Sequence, residues 1–114
     1  MARVLVTAGV LLLAAQPLHA GGAAVPEPHL VVLGKGLYQQ MCRQCHGHEL
    51  RSSGASTFDL RTFPPDDPDR FRTSVMEGSG DMPPHDDILL DEDIDALFAY
   101  VVATQQAQHP GAGQ

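Results

Sequence analysis

Tryptophan is absent from these 114 residues, and two tyrosines and four phenylalanines supply all the aromatic side chains. Cysteine is limited to Cys42 and Cys45, so a zinc module built on two cysteine pairs is excluded for want of a second pair. Basic residues are scarce, with 7 Lys and Arg against 14 Asp and Glu and a net charge of −7. Such a surface repels nucleic acid and suits positively charged patches on partner proteins. Internal repeats are missing, and no segment shows the apolar alternation of a credible strand. An all-α domain is what remains.

The N-terminus carries the one long apolar run. Arg3 supplies a minimal basic region and Val4 to Ala15 an apolar stretch, the pattern of a secretory signal peptide over residues 1–20. Cleavage after Ala20 is the first choice, with Ala23 or Ala24 as alternatives because Leu18 is large for its position. A retained membrane anchor is disfavoured, since the run is short for a bilayer and is broken by Gln16-Pro17-Leu18-His19. A periplasmic protein is expected, with a flexible lead-in over 21–31, one domain over 32–105 and a flexible tail over 106–114.

Cys42-Arg43-Gln44-Cys45-His46 is the motif with the most chemistry in it. Cys-x-x-Cys-His is the attachment pattern for c-type haem. Residues three apart share a helix face, so both thiols reach one macrocycle while His46 turns under the iron. A thioredoxin-like redox pair would want a preceding strand, and none is visible. One covalently attached haem c also supplies apolar surface that a core this small and poor in aromatics would otherwise lack.

Apolar residues at Leu33, Leu37, Tyr38 and Met41 predict a helix running into this motif, with Gly34 placed to let another helix approach closely. Residues 47–60 and 62–66 read as loops. Asp67 before Pro68 predicts an N-cap and first helical residue, Gly78 a stop, and Phe71, Val75 and Met76 the inner face between them. Asp91 is expected to cap a last helix carrying Ile94, Leu97, Phe98, Val101 and Val102 inward, with fraying from Gln105.

The sixth iron ligand decides whether such a centre moves electrons or binds small molecules. Met41 and His48 lie too close to the motif to cross the haem, and Met76 belongs to a helix stripe. Met82 sits at the centre of Gly78-Ser79-Gly80-Asp81-Met82-Pro83-Pro84, a segment that holds an extended backbone. His85 is its best competitor.

Taken together, Gly34-x-x-x-Tyr38-x-x-x-Cys42-x-x-Cys45-His46-Gly47, Gly80-Asp81-Met82-Pro83 and Leu97-x-x-Tyr100-Val101 resemble, in order, the first helix, methionine loop and closing helix of class I cytochromes c. The likeness implies a cytochrome c fold of three to four helices around the haem, His46 and Met82 as axial ligands, and Gly34 and Tyr38 crossing Leu97 and Tyr100. The family commonly places a proline where Phe58-Asp59-Leu60 stands, its carbonyl accepting the ligating histidine's proton. Here Phe58 is the candidate for that task. Arg61 is either a haem-propionate partner or an ordinary surface arginine.

A finer likeness, through Asp59-Leu60-Arg61-Thr62-Phe63, Arg70-Phe71, Met82-Pro83 and Asp91-Glu92-Asp93-Ile94, is to small cytochromes that serve pyrroloquinoline quinone alcohol dehydrogenases. It implies a monomeric carrier taking electrons from a periplasmic dehydrogenase and passing them to an oxidase or another cytochrome, rather than an enzyme. A haem-based sensor, or an electron-transfer subunit of a stable dehydrogenase complex, are the alternatives. In the mature protein both thiols are expected to resist iodoacetamide under denaturing conditions; alkylation of Cys42 and Cys45 would instead indicate thiol redox chemistry.

Overall fold

The computed structural model describes residues 24–52 and 54–111; the expected signal peptide at 1–20 lies outside them. Four helices carry the fold: α1 (Pro28–Met41), α2 (Arg43–His46), α3 (Pro68–Glu77) and α4 (Asp91–Gln108), with 3₁₀ turns at His48–Leu50 and Leu60–Thr62. Among the described residues there is no strand, only an isolated bridge between Ser79 and Met82. The architecture is all-α, as the sequence pattern implies. No described helix is long and apolar enough to cross a membrane.

Helix α1 starts a turn earlier than expected from Val32. Pro28 takes the first helical position, where its fixed φ is already helical and its missing N–H costs nothing. At Gly34, α1 meets α4 backbone to backbone: a Cβ there would lie 1.9 Å from the Ala96 carbonyl oxygen. One turn on, the Tyr38 and Tyr100 rings stack at 5.0 Å between centroids, tilted by 47°. The crossing expected of Gly34 and Tyr38 against Leu97 and Tyr100 is therefore present.

Helix α3 follows its sequence signals. The Asp67 carboxylate accepts the Arg70 N–H at 3.1 Å, Pro68 opens the helix, and Gly78 leaves it at φ 78°. Phe71 and Val75 face inward, fully packed, while Met76 rests half-buried against the core. All four phenylalanines join one network: Phe63 meets Phe58, Phe71 and Phe98 edge-on, and Phe71 lies 5.1 Å from Phe98. Edge-to-face pairs of this kind add stability beyond the area they bury, which compensates for the missing tryptophan.

Two expectations about α4 are corrected. Leu90, not Asp91, is the cap residue, and the Asp93 carboxylate reaches back to accept the Leu90 N–H at 3.0 Å. That reach-back satisfies a free donor at the helix start, while Asp91 and Asp95 both bind the Arg72 guanidinium on α3. At the other end the helix runs to Gln108 rather than fraying from Gln105. Gln105 is buried and donates to the Leu60 and Phe63 carbonyls at 2.7 and 2.9 Å, and Gln108 donates to the Glu49 carbonyl at 2.9 Å. Polar side chains hold this end in place because loop carbonyls need donors.

Gly34→Ala is expected to destabilise the holoprotein by about 1–3 kcal/mol or to block its folding, because backbone cannot move aside as a side chain can. Gly36→Ala, with nothing within 4 Å of its added Cβ, is expected to stabilise by about 0.5–1 kcal/mol. Urea unfolding of the pair separates packing from helix propensity.

Candidate haem site

Helix α1 delivers the motif, and a tight junction turns it. The Cys42 N–H donates to the Tyr38 carbonyl at 2.9 Å, and the His46 N–H donates to the Cys42 carbonyl at 2.9 Å. Cys42, Cys45 and His46 thus sit in a single short turn of helix directly below the α1–α4 crossing. Both thiols are free, Cys42 half-buried and Cys45 exposed. Burial foremost, then neighbouring Cys45, pushes the Cys42 thiol up to about 11. A redox-active Cys-x-x-Cys depends on a lowered thiol pKa, so this environment argues against thiol exchange.

His46 is oriented by a contact that the sequence could only nominate. Its Nδ1 lies 3.3 Å from the Phe58 carbonyl oxygen, and since a carbonyl accepts, Nδ1 carries the proton. Nε2 is then left with a lone pair, the form in which imidazole binds a metal. Burial lowers the pKa of the ring, and the Phe58 carbonyl works in the opposite direction. The proline common at this place is dispensable because the backbone oxygen is what bonds.

The segment after His46 is held in a conformation that side chains with a Cβ rarely take. Gly47 has φ 81°, and a Cβ there would fall 2.0 Å from the Arg51 carbonyl oxygen; Glu49 and Leu50 follow at φ 50° and 67°. Left-handed backbone at two non-glycine residues costs free energy. It is offset by full burial of Leu50 and by the Gln108 bond to Glu49. Above it, the Tyr38 hydroxyl donates to the Gly47 carbonyl at 2.7 Å, and burial raises the pKa of that phenol. Nothing in 47–60, which reads as plain polar loop, signals this turn.

Met82 is placed by a four-residue turn. Its N–H and carbonyl exchange bonds with Ser79 at 3.0 and 3.1 Å, and a Cβ on Gly78 would meet the Met82 carbonyl oxygen at 2.5 Å. Further along, the His85 N–H donates to the Val75 carbonyl at 2.9 Å, so the loop is tied to the end of α3. The Nδ1 of His85, the other candidate ligand in this loop, is buried without a hydrogen-bond partner among the described residues.

The chemistry of the groups suits a haem: two free thiols, an imidazole with Nε2 unprotonated, and apolar side chains left partly open to water. Met41, Cys42, Leu60, Met76 and Met82 each pack against the core on one side and remain half-exposed on the other, and Phe58 is 48% exposed. Covering such side chains with an apolar macrocycle is worth roughly 25 cal/mol per Å² buried. Arg61, by contrast, is already engaged: its guanidinium donates to both Asp59 carboxylate oxygens at 2.9 and 2.8 Å, and holds the Asp59 pKa down. An apolar groove of about 390 Å³, lined among others by Pro26, Leu30, Pro65, Phe98 and Val102, contains none of Cys42, Cys45, His46 and Met82.

Gln105 is the residue of the site's surroundings that the sequence left unnoticed, reading as frayed tail. Through Leu60 and Phe63 it anchors the segment that begins at Phe58. A family model described as cytochrome C oxidase, cbb3-type, subunit III matches residues 30–101, over half of the chain. No curated protein and no solved structure matches. Gln105→Ala, which strips the Phe63 carbonyl of its donor and leaves the Leu60 carbonyl only the Phe63 N–H, is expected to cost about 1–3 kcal/mol for the group left unsatisfied in the interior, measured by urea unfolding of the holoprotein.

Proposed function

We propose, from the premise that this chain belongs to the family described as cytochrome C oxidase, cbb3-type, subunit III, that it shuttles electrons outside the cytoplasmic membrane. As a cytochrome c domain it is an electron-transfer protein with covalently bound haem c. In the reading put forward here there is one haem, thioether-linked to Cys42 and Cys45, with His46 and Met82 on the two faces of the iron. The observation that carries it is the His46 Nδ1 contact with the Phe58 carbonyl, which leaves Nε2 as the free ligating atom.

Bound in this way, haem supplies a one-electron iron couple whose potential a methionine ligand raises. The chain's own part is to hold and to shield. Phe58 fixes the His46 ring plane and tautomer. The Ser79–Met82 turn keeps the thioether in place without requiring the loop to reorganise when charge changes. Leu60, Met76 and Phe58, apolar and partly exposed, would shield the haem from water. With both axial positions filled, the iron would be closed to a substrate.

The site of action and the partners rest on further arguments. Residues 1–20 read as a signal peptide, which supports the periplasm, and the likeness around Asp59–Phe63 and Asp91–Ile94 supports a quinoprotein alcohol dehydrogenase as donor. The family's description names an oxidase subunit, which supports an oxidase as acceptor.

The oxidised wild-type protein is expected to show the weak long-wavelength sulfur-to-iron charge-transfer band. In Met82→Ala the band is expected to vanish entirely, and in Met76→Leu to persist. Survival of the band in Met82→Ala would remove Met82 from the iron. Its absence from the wild type, with carbon monoxide binding to the reduced protein, would replace the carrier by a ligand-binding module.

A further inference from the structure

Arg72 is the last cation of the chain: residues 73–114 hold no Lys or Arg and eight Asp and Glu. Some of those carboxylates have structural work. Asp91 and Asp95 share the Arg72 guanidinium, and Asp93 caps Leu90. Asp86, Asp87 and Glu92 are exposed and make no ion pair among the described residues.

Between these acids stand two large aliphatic side chains in water. The Ile88 and Leu89 N–H groups both donate to the His85 carbonyl, at 3.2 and 3.0 Å, a turn that sends Leu89 into the core at 5% exposure. Its neighbours go the other way, Ile88 at 63% and Leu90 at 64% exposed. Single exposed aliphatics are ordinary. Two of them flanking one anchored residue, with Asp86-Asp87 before and Asp91-Glu92 after, form an apolar spot in a charged rim, the anatomy of a protein interface. The strip leaves the Met82 loop directly, through His85 and its bond to Val75.

We infer that Asp86–Glu92 is the docking face for a protein partner that presents an apolar patch bordered by lysine or arginine. The inference rests on the carrier reading, which requires a partner beside the haem. Charge selects this occupant over others. A second copy docked through the same face would set carboxylates against carboxylates, and an anionic lipid surface or nucleic acid would be repelled. Among the described residues the cations without carboxylate partners are Lys35, Arg43, Arg51 and Arg70; the Arg70 guanidinium stands over the Phe63 ring, and none of the four falls within Asp86–Glu92.

Gold surfaces bearing a mixed ammonium- and methyl-terminated monolayer serve as the probe for the holoprotein, with adsorbed mass and faradaic current recorded together. Wild type is expected to bind the mixed surface more tightly than a purely ammonium one. Asp86→Asn/Asp87→Asn is expected to weaken adsorption about tenfold, and Ile88→Ser/Leu90→Ser to abolish the preference for methyl groups. Asp66→Asn/Asp69→Asn, equal in charge change on exposed acids elsewhere, is expected to stay within about twofold of wild type. Equal weakening by both acidic pairs, or an unchanged methyl preference in the serine variant, overturns the docking face. Adsorption with this pattern but no current from any surface upholds the face and sinks the carrier reading.

Discussion

The backbone crossing of α1 and α4 at Gly34 is the contact on which the remainder hangs. A side chain there would have to occupy the space of the Ala96 carbonyl, so hydrogen is the only substituent that permits this approach. The approach brings Tyr38 onto Tyr100, and Tyr38 in turn reaches past α1 to the Gly47 carbonyl. A single missing methyl group thereby sets where the turn bearing Cys42, Cys45 and His46 sits relative to the core.

From that junction the site is assembled mostly from backbone oxygens. Phe58 orients His46 through its carbonyl, Val75 holds the methionine loop through its own, and the carbonyls of Leu60 and Phe63 are kept in place by the buried amide of Gln105. Backbone partners do not change rotamer, so side chains positioned by them are preorganised. In the electron transfer proposed, that rigidity would keep nuclear rearrangement small. The left-handed turn at Glu49 and Leu50 is the conformational cost of reaching it.

Charge and apolarity are distributed with the same economy. Aromatic side chains are few, and all of them fall into two groups, the tyrosine pair at the crossing and the phenylalanine network between α3 and α4. Arg72 ties those two helices together through Asp91 and Asp95 on an exposed surface, where an ion pair adds little stability but leaves no cation over to offset the acids beyond it. The negative face next to the methionine loop follows from that pairing.

Local signals were enough for the elements whose causes are local. Cys-x-x-Cys-His, the Asp67-Pro68 start and Gly78 stop of α3, the stripe of α4 and the glycine-proline setting of Met82 are each short-range patterns, and each is legible without tertiary context. Gly34 too could be singled out, because a glycine on an apolar face has few other uses. What lay beyond reach involved partners distant in the chain. Leu90 rather than Asp91 caps α4, with the Asp93 carboxylate closing on its N–H while Asp91 pairs with Arg72; Gln105 is buried because loop carbonyls more than forty residues away need its amide; and Leu50 adopts positive φ because the core has a place for its side chain. Sequence by itself determined the helical class, the motif and its candidate ligands, since those depend on neighbours three or four residues apart. Only the tertiary structure decided which carbonyl orients His46, how the turn after it bends and where the last helix ends, because those are settled by hydrogen-bond satisfaction across the fold.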